Sequence, residues 1–352
     1  MFDFLRPDAL AAFEEEGVQK ALSRYIAVSR NELPAKFMAA KAAEVEVDLG
    51  DETDFLWREH DDAVAALAFE NPGERVPMTS LLDLKIELAR RMITKCHFCE
   101  RACGVDRTNG ETGFCGCGLE SRLSSEFLHM GEEACLVPSH TFFFTGCPFY
   151  CIYCQNWTIS RRREEGTPIT GAQMAGIAKR RRVVEKSRNV NLVGGDPTPN
   201  THTVLEMLRA LDVNVPIVWN SNMYMSEETM RLLDGCIDVY LTDFKYGNND
   251  CANRLSKIEN YWEVVTRNHL LACKNAELLI RHLVLPNHVE CCSAPVIKWI
   301  GEKFGDSVRV NIMAQYRPEF EAFTMPDMGR GVNSEEMEKV FALARELGLN
   351  LD

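Results

Sequence analysis

From His140 onward, short runs rich in Val, Ile, Leu, Phe and Thr alternate with longer stretches whose apolar residues recur every three or four positions. The β-like runs fall at 141–145, 190–193, 217–220, 239–244, 278–285 and 309–313, and the helical stretches near 170–187, 201–211, 226–234, 258–274 and 293–304. Alternation of this kind predicts a parallel sheet assembled from βαβ units, and six such units suit an open barrel. Upstream, residues 8–30 and 34–45 carry helical periodicity, with Leu10, Phe13, Val18, Leu22 and Ile26 near one face and Pro34 marking a fresh start. A break at Asn71-Pro72-Gly73 precedes a further helix around 80–92. The expected fold is therefore α/β, a partial (β/α)6 TIM-like barrel with an N-terminal helical and cysteine-rich extension. Its expected parts are an acidic helical extension (1–92), a cysteine-rich segment (93–135), the barrel (136–330) and a C-terminal helix (331–352).

Composition narrows the class. At 352 residues and 46% hydrophobic, the chain can bury a sizeable core. No stretch approaches the roughly 18 apolar residues of a membrane span, and Met1 to Gly17 lacks a secretion pattern. A cytoplasmic chain without a membrane partner is expected. Its net charge of −13 argues against a general nucleic-acid-binding surface. Residues 1–75 alone hold 17 Asp and Glu against 8 Lys and Arg. Two basic runs, Arg161-Arg162-Arg163 and Lys179-Arg180-Arg181-Arg182, read either as solvated faces or as a docking patch for an acidic partner or an electron donor. Fourteen cysteines without a secretion pattern point to metal ligation rather than a disulfide framework.

The chemistry concentrates in Thr145-Gly146-Cys147-Pro148-Phe149-Tyr150-Cys151-Ile152-Tyr153-Cys154, a Cys-x3-Cys-x2-Cys loop directly after the first apolar run. A lone cysteine is usually a small buried hydrophobe. Three at this spacing can grip one iron–sulfur cluster, and a [4Fe–4S] cluster held by only three cysteines leaves one iron open. A closed zinc site wants a fourth nearby ligand, and this loop supplies none. Cys147, Cys151 and Cys154 are thus the expected cluster ligands.

This loop resembles the signature of the radical S-adenosylmethionine (SAM) enzymes. The resemblance implies that the open iron binds the cofactor's amino and carboxylate groups, that Tyr153 lies near the adenine, and that reductive cleavage of SAM yields a 5′-deoxyadenosyl radical for hydrogen abstraction. The partial barrel is also the fold it implies. Gly194-Gly195-Asp196 resembles the family's Gly-Gly-Glu motif for the methionine moiety, with Asp in place of Glu. Read from the residues alone, it is a sharp strand-to-helix turn that lets backbone approach a ligand.

On the third strand Asn220 and Asn222 share a side, as do Asp243 and Lys245 on the fourth, by the two-residue alternation. A structural salt bridge would account for Asp243 and Lys245; related activases carry Asp-x-Lys at this strand, which makes both, with Asn220, expected cofactor or substrate contacts. The fifth strand places Arg281 and His282 in an apolar run, and His282 is expected to reach the pocket.

Upstream, Cys96, Cys99, Cys103, Cys115 and Cys117 fall within 22 residues. Four thiolates of this set, expected to be Cys96, Cys99, Cys103 and Cys115, can close a zinc site or hold an auxiliary iron–sulfur cluster; Cys117 and His97 are alternatives. Cys135, Cys236, Cys251, Cys273, Cys291 and Cys292 read as packing residues; adjacent Cys291 and Cys292 point opposite ways if extended and make poor co-ligands.

Together the upstream cysteines, the Gly-Gly-Asp-Pro-Thr-Pro turn and the Asp-Phe-Lys strand resemble homologues of the pyruvate formate-lyase activating enzyme over roughly residues 96–320. Residues 131–140 do not carry the Gly-x-Gly-x-Arg segment usual in glycyl-radical activases. The expected function is a radical SAM oxidoreductase acting on a protein or peptide, served by a reducing electron-donor protein. A small molecule or RNA as substrate, and a non-catalytic metal-binding scaffold or redox sensor, are the alternatives.

Overall fold

The computed structural model describes residues 6–70, 72, 77–162 and 164–352; Asn71 and Gly73 of the expected break and Arg163 of the first basic run lie outside them. One sheet runs through the described chain: β1 (Arg122–His129), β2 (Ser139–Phe144), β3 (Thr167–Pro168), β4 (Asn189–Gly194), β5 (Ile217–Ser221), β6 (Val239–Asp243), β7 (Glu277–Leu283), β8 (Arg309–Met313) and β9 (Asn350–Leu351). Its order is β3-β1-β2-β4-β5-β6-β7-β8-β9. Every neighbouring pair from β2 to β9 is parallel, whereas β1 is antiparallel to both β2 and β3.

The six expected strands are β2 and β4 to β8. They are apolar because both faces are covered: β5 is buried along its whole length. The pattern misses β1, whose Arg-Leu-Ser-Ser-Glu-Phe-Leu-His sequence has no sustained alternation and whose place is set by pairing with β2. It also misses the helices Thr53–Ala65 and Asn249–Ser256; the stretch expected near 258–274 is the helix Tyr261–Asn275, distinct from Asn249–Ser256. Lys257 and Asn260 separate these two by taking left-handed backbone, φ 54° and 49°. Elsewhere the helix starts are written locally, with capping boxes at Ser80/Asp83, Thr170/Gln173 and Asn333/Glu336.

The sheet curves. Phe143 of β2, Val193 of β4, Asn220 of β5, Asp243 of β6, Arg281 of β7 and Asn311 of β8 all line one cavity, as only a sheet bent toward closure allows. The inside of this partial barrel is layered. Val218, Val239, Leu241 and Leu279 form a lower apolar layer, packed against Phe13, Val18, Leu22, Tyr25 and Ile26. The helices Pro7–Ala11, Glu16–Ala21 and Ser23–Ser29 therefore close the end of the barrel where the strands begin. Glu277, at the start of β7, anchors them by accepting from the backbone N–H groups of Arg24 and Tyr25, each at 2.7 Å. The layer above is polar, and the cavity opens there.

Candidate active site

The cavity has a volume of about 550 Å³, and Cys147, Cys151, Tyr153 and Cys154 line it. The cysteine loop leaves the end of β2 and is clamped from several sides. Arg161 donates to the Cys147 carbonyl at 2.7 Å, and Arg101 donates to that of Pro148 at 2.5 Å. The amides of Tyr150 and Ile152 donate to the carbonyls of Ser256 and Leu255, at 2.9 and 3.0 Å. Arg161, the first residue of a basic run, is therefore part of the loop's support.

The two glycines after β4 meet the loop directly. A Cβ on Gly194, whose φ is +125°, would stand 2.2 Å from the backbone N and O of Phe144, and one on Gly195 would stand 2.0 Å from the Gly146 carbonyl oxygen. Only glycine lets these strand ends approach so closely. The Gly195 amide donates to Phe144 O at 2.9 Å and the Asp196 amide to Gly146 O at 3.1 Å. Both glycines also line the cavity.

Asp196 does something other than face a cofactor ammonium. It is buried, and its Oδ2 accepts from Ser221 Oγ at 3.1 Å and from the Asn222 amide and Asn222 Nδ2, both at 2.9 Å. Its Oδ1 takes the Thr198 amide at 3.0 Å. With its acceptor capacity committed to protein, Asp196 positions Asn222 rather than contacting a ligand. Asn222 accepts from Lys245 Nζ at 2.7 Å, and Lys245 pairs with Asp243 at 2.5 Å. A polar row, Asp196–Asn222–Lys245–Asp243, thus crosses the ends of three strands, with Asn222 Nδ2 3.7 Å from Cys147 Sγ. Asn220, Asn222, Asp243 and Lys245 all line the cavity.

His282 is the second correction. Its neighbours Arg281 and Leu283 face the cavity, so the alternation turns His282 to the outer side. There Nδ1 lies 2.7 Å from the Phe244 carbonyl and Nε2 2.8 Å from Ser293 Oγ. Burial lowers its pKa to about 4, and it is a neutral, satisfied core histidine. Arg281 takes the role instead. It bridges Glu132 and Glu133, the latter at 2.6 Å, and Glu133 also accepts from Asn311 at 2.8 Å. Burial opposes the Glu133 carboxylate, but Arg281 and Asn311 outweigh it and hold the group below its ordinary value. The sequence offered Arg281 through its charge in an apolar strand; nothing local marked Glu132 and Glu133.

Tyr153 is fixed by a chain of hydroxyls: Tyr153 to Tyr246 at 2.6 Å, Tyr246 to Ser256 at 2.5 Å, and Ser256 to Cys151 Sγ at 3.0 Å. Burial pushes the Cys151 thiol up to about 11 and that of Cys147 well above its ordinary value, with Asp196 adding to the latter. Unligated, these sulfurs would stay protonated. A bound iron–sulfur cluster fits this donor set: three sulfurs on one cavity wall, beside a backbone that only glycine permits.

The upstream cysteines sit close by but are not gathered on one ion. Cys99 feels the Cys115, Cys96 and Cys103 thiols, while Cys117 Sγ lies 3.4 Å from the Thr145 carbonyl at the root of the active loop. His97 is turned to the Lys95 carbonyl at 2.7 Å. Among the described residues, the only His, Cys, Asp and Glu group with three or more ligand atoms within 4.8 Å of one another is Cys251, His288, Cys291 and Cys292. The expectation took these three cysteines as packing residues; the structure brings them beside one another and His288. Residues Val289–Ser293 form a π-turn rather than an extended segment, which brings Cys291 and Cys292 to the same side.

The basic run at 179–182 is largely spent on the protein itself. Lys179 pairs with Asp212 at 2.7 Å, Arg181 with Glu126 at 2.8 Å, and Arg182 donates to the carbonyls of Ser187 and Ser29 at 2.9 and 2.8 Å. No helix among the described residues is long and apolar enough to cross a membrane.

Comparison with known proteins agrees with this geometry. The sequence model of the Radical SAM superfamily matches residues 141–300, from β2 through β7. The chain is 48% identical over 339 residues to the uncharacterized protein MJ0674 of Methanocaldococcus jannaschii, covering 94% of this chain and 98% of the relative. Among solved structures it is similar to SuiB of Streptococcus suis, with 12% identity and a TM-score of 0.42 over 59% of this chain and 47% of that one. It is also similar to QueE from Escherichia coli, with 12% identity and a TM-score of 0.37 over 66% and 94%. The chain thus spans about half the length of SuiB, and likenesses of this size do not bear on what it does. Residues 141–300, which hold the cysteine loop and the strand ends that support it, match the Radical SAM superfamily.

Proposed function

We propose that this protein is a radical SAM enzyme of the activating-enzyme type, abstracting hydrogen from a protein or peptide and taking its electron from a reducing donor protein. One observation carries the radical chemistry: Cys147, Cys151 and Cys154 share a single cavity with Gly194, Gly195 and the Asn222–Lys245–Asp243 row. Enzymes of this superfamily use a [4Fe–4S] cluster and SAM, which together supply a 5′-deoxyadenosyl radical on one-electron reduction. Cys147, Cys151 and Cys154 would hold the cluster. Gly194 and Gly195 would present backbone to the methionine moiety, and Tyr153, held through Tyr246, would wall the loop side. Asp243 and Lys245, which resemble the Asp-x-Lys of activases, would contact cofactor or substrate. We read Cys96, Cys99, Cys103 and Cys115 as ligands of a second metal group, zinc or an auxiliary iron–sulfur cluster.

Anaerobic reconstitution, reduction and assay for 5′-deoxyadenosine test the core of the reading. Cleavage by the wild-type chain and its loss in Cys151→Ala support it; absence of cleavage by wild type overturns it. Deuterium transfer from labelled peptides into 5′-deoxyadenosine tests the substrate class. A small polar molecule is the second reading, favoured by the Arg281–Glu132–Glu133–Asn311 group that lines the same cavity. An RNA substrate loses its local support with the internal pairing of residues 179–182.

A further inference from the structure

Cys251, His288, Cys291 and Cys292 form a second cluster of ligands outside the cavity. Cys251 stands in the first turn of the helix Asn249–Ser256, and the other three on the turn after β7. The sulfur separations are 3.8 Å for Cys251–Cys291 and 3.9 Å for Cys291–Cys292. His288 Nδ1 lies 3.7, 3.1 and 3.9 Å from the sulfurs of Cys251, Cys291 and Cys292. One tetrahedral zinc ion, with bonds of about 2.3 Å to sulfur and about 2.0 Å to nitrogen, sets sulfur–sulfur edges of about 3.8 Å and sulfur–nitrogen edges of about 3.5 Å. Four of the six edges lie within about 0.4 Å of those values, His288–Cys291 is shorter at 3.1 Å, and Cys251–Cys292 is within 4.8 Å. A polynuclear cluster needs its ligands farther apart, and a disulfide leaves two of the four groups without a role.

The surroundings are built for the arrangement. Asn248 accepts from the Cys251 amide at 2.8 Å and donates through Nδ2 to the Cys291 carbonyl at 2.7 Å, tying the two ligand segments together. A Cβ on Gly247 would stand 2.7 and 2.8 Å from the carbonyl oxygens of Cys291 and Cys292, so the backbone passes close behind the turn. The turn Val289–Ser293, with His288 at its start, places a histidine and two adjacent cysteines on one side, where an extended strand would not. Nδ1 ligation puts the ring proton on Nε2, 3.8 Å from Asp327 Oδ2. Arg254 Nη2 now stands 2.9 Å from Nε2, a contact that ligation through Nδ1 replaces, while its Nη1 pairs with Asp327 at 2.8 Å; the guanidinium charge offsets the net negative charge of three thiolates on one dication.

We infer that Cys251, Cys291, Cys292 and His288 Nδ1 bind one structural zinc ion. The ion ties the turn after β7 to the helix Asn249–Ser256, whose last residue, Ser256, donates to Cys151 Sγ at 3.0 Å. It is thereby a staple behind the active loop, with no open position for chemistry. This inference does not depend on the substrate reading.

Zinc analysis and zinc-edge X-ray absorption on the full-length chain, purified anaerobically and given stoichiometric zinc, test it. The expected result is that Cys291→Ala loses one zinc per chain relative to wild type while its iron content holds, and that His288→Cys keeps the zinc but loses a nitrogen scatterer. Equal zinc in wild type and Cys291→Ala overturns the inference, as does a Cys251–Cys291 disulfide in the anaerobic chain. Should Cys291→Ala not accumulate in folded form, wild type and His288→Cys decide: zinc sites with identical scattering in the two also overturn it.

Discussion

The carboxylate of Asp196 takes both the amide and the side-chain N–H of Asn222 on one oxygen, each at 2.9 Å. A residue from the end of β4 thereby fixes one from the end of β5, and Asn222 in turn faces both Cys147 and Lys245. Replacing the carboxylate removes the acceptor that four buried donors share.

Asp196→Ala is accordingly expected to weaken SAM binding roughly 10- to 100-fold, since each buried donor left unpaired costs ~1–3 kcal/mol and the Asn222 side chain is released. Iron bound through Cys147, Cys151 and Cys154 should hold. Equilibrium dialysis of the reconstituted chain against SAM, beside iron analysis, reads both quantities; unchanged affinity would show that Asn222 has no part in binding.

Ser256 makes a different demand on the same loop. Its hydroxyl donates to Cys151 Sγ at 3.0 Å while accepting from Tyr246. Hydrogen bonds to cluster sulfurs favour the reduced, more negative state and so raise the reduction potential. Ser256→Ala should lower the midpoint of the reconstituted cluster by roughly tens of millivolts, measured by a redox titration followed by electron paramagnetic resonance. A midpoint unmoved or raised would count against the hydrogen bond.

What was legible in the sequence follows from what each signal depends on. The parallel strands announce themselves because double-sided burial demands apolar runs, and the cysteine loop because its ligands lie within eight residues. Which of Arg281 and His282 faces the cavity depends on register: Arg281 lies opposite Asp243 and Asn311 in the neighbouring strands, and no local pattern encodes that pairing. Asp196 looked like a ligand group because its partner, Asn222, stands 26 residues away. Cys291 and Cys292 come to one side because a π-turn stands where two adjacent cysteines suggest extended backbone. The helices at 7–29 read as an attachment because their apolar face carries no hint of the barrel layer it covers.

Glu277 makes the closure of the barrel depend on pH. Burial pushes its carboxyl up to about 7, although two backbone N–H groups partly offset the shift. The folded state thus holds a proton more tightly than the unfolded chain, whose glutamate titrates near 4.3. The stability this group contributes is fully present below that unfolded value and is lost as pH rises through about 7. Thermal unfolding of the metal-loaded chain should therefore move to lower temperature between pH 5 and 8, and Glu277→Gln should flatten that part of the profile. A variant whose pH dependence matches wild type would assign the effect elsewhere.

Arg281 separates the value of a buried charge from the cost of stranding its partners. It carries the only cationic side chain that bridges Glu132 and Glu133 among the described residues, and all three are largely shut away from solvent. Removing the guanidinium alone leaves two carboxylates side by side in a medium that solvates neither, so Arg281→Met should cost ~3–5 kcal/mol. Taking away the whole charge group should cost far less, because desolvation of the carboxylates is relieved together with the loss of their counter-ion. The combined variant Arg281→Met, Glu132→Gln, Glu133→Gln is therefore expected to recover most of the stability lost in Arg281→Met. Urea unfolding of the wild type and both variants at neutral pH makes the comparison. If the triple variant is as unstable as the single one, the Arg281 pair is net stabilising by itself; if Arg281→Met is neutral, water reaches the two carboxylates and the group belongs to the open cavity.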